Sequence, residues 1–127
     1  MAYAGVMADI RRAVALERPA QLPVFLCSEE ADVRLCGSRY DRYNAAAAEM
    51  ARVQIEAIER FDYDWAWLQV DDCIEFEPLG VGVEGSGDIL PATCRYLPAT
   101  DAGLAALRAH GYRIGGRMGV LLDAIAR

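Results

Sequence analysis

Helical and strand-like hydrophobic patterns alternate in the first half of the chain. Near the amino terminus, apolar residues at helical spacing predict an amphipathic helix that Pro19 terminates. The continuous apolar run 22–27 then predicts a strand buried on both faces. A second, alanine-rich helix is predicted over 45–61 with Asn44 as its N-cap, and the apolar run 65–70 predicts a second buried strand. The predicted order is helix, strand, helix, strand.

The second half of the chain has a different pattern. Residues 73–79 predict a short helical turn that ends at a glycine. The segments 81–84 and 92–97 flank a Gly-Ser-Gly loop, which is typical of a β-hairpin. Two further helices are predicted, one over 101–109 and a last one that includes 118–125.

Two buried strands joined by one long helix predict a right-handed βαβ unit. Such a unit needs further parallel strands on its flanks, because two strands cannot close a barrel. An eight-stranded (β/α) barrel takes about 250 residues. The chain has 127 residues, so it is expected to contain only a part of any such barrel.

Charge and composition exclude several classes of partner and location. The 19 acidic residues outnumber the 13 basic ones, all of them arginine, so nucleic acid and anionic membranes are not expected partners. The first residues lack the order of a secretory signal, and no apolar run approaches the ~20 residues of a membrane span. The four cysteines form no Cys-x-x-Cys pair. We therefore expect a cytoplasmic protein whose thiols are reduced and unbridged.

An acidic pair, Asp71-Asp72, follows the second predicted strand. In parallel α/β folds, ligands and catalytic groups collect at the carboxyl ends of strands, so Asp71 is a candidate catalytic residue there. Its carboxylate is suited to accept hydrogen bonds from a substrate N–H or O–H group, or to stabilise a developing cation. Aspartate is also favoured at helix N-termini, so the alternative is that both residues cap the following turn.

The first predicted strand delivers Cys27, Ser28 and Glu29 to the same edge, where they are candidate substrate-binding residues. The alternative for the Ser-Glu-Glu stretch is the start of a helix. His110 is the only histidine, so clustered histidines cannot form a zinc site in this chain, and its place before a glycine favours a helix end. No metal ligand is predicted.

Four stretches of the chain carry a resemblance to a known family. They are the Arg18-Pro19 turn with the apolar run after it, residues 35–43, residues 50–64, and the stretch from Asp71 to the Leu79-Gly80 pair. In this order they resemble the uroporphyrinogen decarboxylase superfamily, which also contains the methylcobalamin:coenzyme M methyltransferases. The last stretch is the most telling, because it resembles the family's aspartate at a strand end and the Leu-Gly pair that opens its hairpin.

The resemblance implies the α/β fold of that superfamily, a (β/α)8 TIM-type barrel. Residues 1–127 would be its incomplete N-terminal portion, with the β-hairpin as an insertion. Asp71 matches the cleft aspartate, which in the decarboxylases receives hydrogen bonds from the pyrrole N–H groups of the substrate. Asp72 has no counterpart.

The resemblance also implies a reaction, and it is closest to the methyltransferase branch. That branch transfers a methyl group from a corrinoid carrier to a thiol activated on zinc, and its zinc ligands belong to the later part of the barrel. Zinc and corrinoid are thus implied cofactors, held outside this chain. The alternatives are a true uroporphyrinogen decarboxylase, a tetrapyrrole carboxy-lyase, or a non-catalytic subunit. Where decarboxylases hold substrate carboxylates with arginines, this chain has Glu29, Glu30 and Asp32, which would repel a polycarboxylate.

The expected partners follow from the same interpretation. They are a corrinoid protein or small-molecule substrate, together with the remainder of the barrel or a partner chain that covers the open sheet edges. The chain by itself is expected to be inactive and to self-associate.

Overall fold

The computed structural model describes residues 3–27, 30–68 and 71–127. Within these ranges no helix has the length and apolar character needed to cross a bilayer. The helices are α1 (Val6–Val14), α2 (Glu30–Leu35), α3 (Tyr40–Ala45), α4 (Ala47–Phe61), α5 (Asp101–His110) and α6 (Gly116–Ile125), with short 3₁₀ turns at Asp72–Glu75 and Glu77–Leu79 and strands β1 (Gly82–Glu84) and β2 (Ala92–Arg95).

The core lies where α2, α3 and α6 pack around α4. Helix α4 buries one stripe at helical spacing, as its sequence predicts. Tyr43 of α3 is fully buried; its hydroxyl donates to the Leu68 carbonyl at 2.6 Å and accepts from Gln54 at 3.3 Å. The side-chain oxygen of Gln54 in turn accepts from the Trp67 backbone at 3.0 Å. This buried network ties the core helices to the segment that leads to Asp71.

The predicted hairpin is confirmed. Strands β1 and β2 pair antiparallel, with an irregularity between Gly82 and Val83. They are the two strands of the only sheet in the described ranges. The 3₁₀ turns before the hairpin end at Gly80, which has a φ of 85°, a conformation that favours glycine. The predicted helical turn before a glycine is thereby confirmed.

The two predicted parallel strands are not formed in the described residues, so that prediction was wrong for 22–27 and for 65–68. The two segments do lie side by side. Val24 and Asp64 exchange two hydrogen bonds of 2.8 and 2.9 Å, one through the Asp64 carboxylate, and the Phe25 ring lies 5.6 Å from the Trp65 ring. A strand needs a ladder of backbone bonds on its flank, and one backbone bond at one end does not make a ladder.

Two helix boundaries also differ from the prediction. Helix α1 ends at Val14, several residues before Pro19, and Leu16 follows with a φ of 59°. Asn44 is not an N-cap: it lies inside α3, and Ala46, with extended backbone, separates α3 from α4. The tertiary contacts of Tyr40 and Tyr43, both buried, favour this additional short helix.

All four cysteines are thiols and none is bridged by a disulfide bond, as predicted. Cys36 and Cys73 are buried, whereas Cys27 and Cys94 are exposed. Burial is the largest cause that raises the pKa of the Cys36 thiol.

A charged cluster fixes the start of α4 against the turn after α2. Glu49 accepts from Ser38 at 2.6 Å and from Arg52 at 2.9 Å, and Arg52 also pairs with Glu56 at 2.6 Å. These contacts, first of all the hydrogen bond from Arg52, lower the pKa of Glu49 from 4.5 to about 2.

Glu49 is therefore expected to make stability depend on pH in the acid range. Because its pKa is lower in the folded chain, its contribution is complete above pH 4.5 and is lost as the pH falls towards 2. In urea unfolding at a series of pH values, the free energy of unfolding of Glu49→Gln should fall less steeply with decreasing pH than that of the wild type. Glu59→Gln, which changes an exposed glutamate of the same helix, is the control and should keep the wild-type slope. Equal slopes for wild type and Glu49→Gln would contradict the assignment.

Candidate active site

Asp71 lies directly after the second apolar segment and is buried, with 7% of its surface exposed. One carboxylate oxygen, Oδ1, accepts from the backbone N–H of Cys73 at 3.0 Å, so Asp71 caps the first 3₁₀ turn. The alternative interpretation, in which Asp71 caps the following turn, is therefore confirmed for Asp71. Asp72 is the first residue of that turn and is exposed, and its carboxylate therefore faces solvent.

The second oxygen of Asp71 is held by Arg117, near the start of α6. Arg117 Nη1 lies 2.6 Å from Asp71 Oδ2, and Arg117 Nε lies 2.8 Å from Glu77 Oε2. Only 2% of the Asp71 side chain and 16% of the Arg117 side chain are exposed. Charge-assisted hydrogen bonds of this length fix the carboxylate orientation strongly. The last helix therefore positions the predicted catalytic aspartate.

A cavity of about 490 Å³ adjoins this ion pair. We call it the α3–α6 cavity, because α3, the hairpin loop and the start of α6 form its walls. Its lining includes Tyr40, Asn44, Glu77, Ile89, Arg117 and Val120. Two side-chain nitrogens of these lining residues, Arg117 Nη2 and Asn44 Nδ2, are themselves buried and have no hydrogen-bond partner among the described residues. Asn44 as a whole is only 6% exposed.

Of the predicted site residues that the structure describes, neither Asp71 nor Cys27 lines the α3–α6 cavity. Cys27 is exposed at the end of its apolar segment and does not line the α3–α6 cavity. Ser28 and Glu29 lie outside the described residues. His110 is in the last turn of α5, as its position before a glycine predicted, and its ring lies against Gly80.

Sequence reasoning missed Arg117 and Asn44. Arg117 lies directly before residues 118–125, which were predicted to be helical, but nothing local indicated an ion pair with a residue 46 positions earlier. Asn44 was interpreted as a cap, a role that would have used its side chain on the backbone. Its burial without a partner becomes visible only in the folded chain.

The described residues offer no donor set for a metal ion. No group of three or more His, Cys, Asp or Glu side chains in those ranges could hold one. The residues therefore do not fit the zinc that the resemblance implies, and we derive no reaction step from zinc bound by this chain.

Comparison with known proteins assigns the family. Searches among curated proteins and among solved structures found no match. A family model described as Uroporphyrinogen decarboxylase (URO-D) matches residues 7–127, a range that includes Asp71, Asn44 and Arg117. This family implies a TIM-barrel fold, whereas the described ranges form a small helical unit with one two-stranded sheet. The chain belongs to the uroporphyrinogen decarboxylase family.

Proposed function

We propose that this chain forms one wall of the substrate cleft of a uroporphyrinogen decarboxylase-like enzyme that transfers a methyl group from a corrinoid to a thiol. The observation that carries the proposal is the surplus of acid beside the α3–α6 cavity. The single guanidinium of Arg117 faces two carboxylates, those of Asp71 and Glu77. A polycarboxylate such as uroporphyrinogen would be repelled there, whereas an uncharged substrate surface would not.

A corrinoid would supply the methyl group in this reaction, and zinc, bound by residues outside this chain, would activate the accepting thiol. The part of this chain in the reaction is to orient the substrate. The carboxylate of Asp71 is buried and fixed by Arg117 and by the Cys73 backbone, and Asp71 is the residue that we assign to contact the substrate.

The test compares two reactions on the protein expressed from its complete reading frame. Methyl transfer from methylcobalamin to 2-mercaptoethanesulfonate is measured beside carbon dioxide release from uroporphyrinogen. The proposal predicts methyl transfer without decarboxylation. Decarboxylation without methyl transfer would overturn it and favour the tetrapyrrole carboxy-lyase.

The non-catalytic subunit remains a second candidate because of the exposed apolar side chains on the two segments that were predicted to be strands. Phe25 is 50% exposed, Val24 51% and Trp65 44%. Exposed neighbouring apolar groups usually mark a surface that another segment or chain covers. If the chain is a non-catalytic subunit, neither methyl transfer nor decarboxylation should be observed.

The exposed side chains of Val24, Phe25 and Trp65 also predict that a protein consisting of residues 1–127 alone self-associates. Sedimentation velocity should show concentration-dependent oligomers that bind a dye for apolar surfaces. Val24→Ser should reduce both signals, and Leu104→Ser, at an exposed leucine of α5, serves as the control. A dye-silent monomer at all concentrations would contradict this prediction.

A further inference from the structure

Arg117 contacts Asp71 and also lines the α3–α6 cavity, whereas Asp71 does not line it. The Asp71 side chain is 2% exposed, and its Oδ2 lies 2.6 Å from Arg117 Nη1. Arg117 therefore adjoins both the buried carboxylate and the open space. A substrate in this cavity reaches the Asp71 carboxylate only if the Arg117 side chain moves aside.

Glu77 gives Arg117 a second carboxylate to which it stays bound during such a movement. Arg117 Nε lies 2.8 Å from Glu77 Oε2, and Glu77, with 35% of its side chain exposed, lines the cavity. A guanidinium has five N–H donors in a planar fork, so it can keep one carboxylate while it releases another. Because Glu77 still neutralises the charge, release of Asp71 does not leave an uncompensated guanidinium.

The backbone at the start of α6 is suited to a shift of Arg117. The N-cap, Gly115, makes no side-chain cap hydrogen bond, and Gly116 follows with a φ of 50°, a conformation that favours glycine. A Cβ atom added at either glycine would meet no described atom within 4 Å. The turn that carries Arg117 is thus neither capped nor closely packed at these two positions.

We propose that Arg117 is a gate over Asp71 and that Glu77 is the positioning residue that holds Arg117 when the gate opens. In the closed state, which the structure shows, Arg117 binds both carboxylates. In the open state it keeps Glu77 alone, and a hydrogen-bond donor of the substrate takes its place on Asp71. Substrate then favours the open state because it binds only that state. The substrate contact of Asp71 rests on the proposed function, whereas the release of Arg117 rests on the contacts above.

Chemical labelling of carboxyl groups measures the opening without substrate. The complete protein is treated with a water-soluble carbodiimide and glycinamide, which convert accessible carboxyl groups to amides. Trypsin then releases residues 61–95 as one peptide, because this stretch has no arginine before Arg95 and the chain has no lysine. Tandem mass spectrometry of singly labelled peptides gives the initial rate at each residue.

Two aspartates serve as internal references for the rate at Asp71. Asp72 is exposed and is labelled without any opening, whereas Asp32, 1% exposed in the core, requires unfolding. Asp71 should be labelled at least about tenfold more slowly than Asp72 and at least about tenfold faster than Asp32. A rate at Asp71 no higher than that at Asp32 would mean that the gate does not open in the folded protein, and would overturn the proposal.

Glu77→Gln distinguishes a gate from a merely structural ion pair. Without Glu77, release of Asp71 leaves Arg117 with no carboxylate, so labelling of Asp71 relative to Asp72 should fall about fivefold or more. A structural role predicts the opposite, because Arg117 loses support and exposes Asp71. Glu75→Gln makes the same charge change at an exposed neighbour and should keep the wild-type rates. Labelling of Asp71 that is equal or faster in Glu77→Gln would overturn the proposal; should this variant not fold, the wild-type rates still decide.

The same variant separates the gate from the proposed reaction. In methyl transfer by the complete protein, the KM of Glu77→Gln should rise by about the factor by which labelling falls, with a smaller effect on kcat, because substrate binds the open state. Slower labelling of Asp71 in Glu77→Gln, with no methyl transfer by the wild type, supports the gate and counts against the reaction. Methyl transfer together with equal labelling in both proteins supports the reaction and overturns the gate.

Discussion

Replacing Asp71 with asparagine should lower the free energy of unfolding by about 1–3 kcal/mol. The asparagine keeps the shape of the side chain and an oxygen for the Cys73 backbone, but it cannot form the charged contact with Arg117, of which only 16% of the side chain is exposed. Arg117 stays paired with Glu77, so the main cost is the loss of one charge-assisted hydrogen bond between buried groups. Urea unfolding followed by circular dichroism measures the change.

Asp72→Asn is the matched control, because Asp72 is the exposed neighbour of Asp71. It should change stability by no more than about 0.5 kcal/mol. Asp71→Ala should cost a further 0.5–2 kcal/mol or so, since it also removes the cap of the 3₁₀ turn. A loss for Asp71→Asn no larger than that for Asp72→Asn would contradict the buried ion pair.

Tyr43→Ala should cost about 3–5 kcal/mol, because Tyr43 is a large, fully buried side chain of the core. Tyr43→Phe keeps the ring and isolates the hydroxyl, which bonds Leu68 and Gln54. It should cost about 1–3 kcal/mol, because the buried acceptor and donor on those two residues lose their common partner.

The hydroxyl of Tyr43 also holds the segment that leads to Asp71. Hydrogen exchange should therefore show faster exchange of the Trp67 amide in Tyr43→Phe, since Gln54 loses the contact that orients it. Tyr96→Phe, at a largely exposed tyrosine, is the control. Unchanged exchange at Trp67 in Tyr43→Phe would show that the network does not hold this segment.

Hydrophobic spacing and turn residues predicted the elements that depend mainly on residues close together in the sequence. The stripe of α4 and the hairpin both follow from spacing and turn chemistry. The two parallel strands were predicted from apolar runs alone. A run such as 22–27 indicates burial but does not supply the neighbouring strand that a ladder requires.

Of the residues that form the candidate site, only Asp71 was predicted from the sequence. Asp71 was found because it follows an apolar run, and its cap on the next turn was a weighed alternative. Its partner Arg117 is 46 positions away, and no periodicity links the two. Asn44 was missed for a related reason: the same residue type favours a cap and a buried contact, and only packing distinguishes them.

The most direct measurement is the methyl-transfer rate of the complete protein with Asp71→Asn and with Asp72→Asn, each normalised to its folded fraction. If the carboxylate of Asp71 contacts the substrate, kcat/KM should fall about 100-fold or more in Asp71→Asn. In Asp72→Asn it should stay at the wild-type value, because the Asp72 carboxylate faces solvent. A wild-type kcat/KM for folded Asp71→Asn would show that Asp71 serves the fold alone and would contradict its place in the substrate cleft.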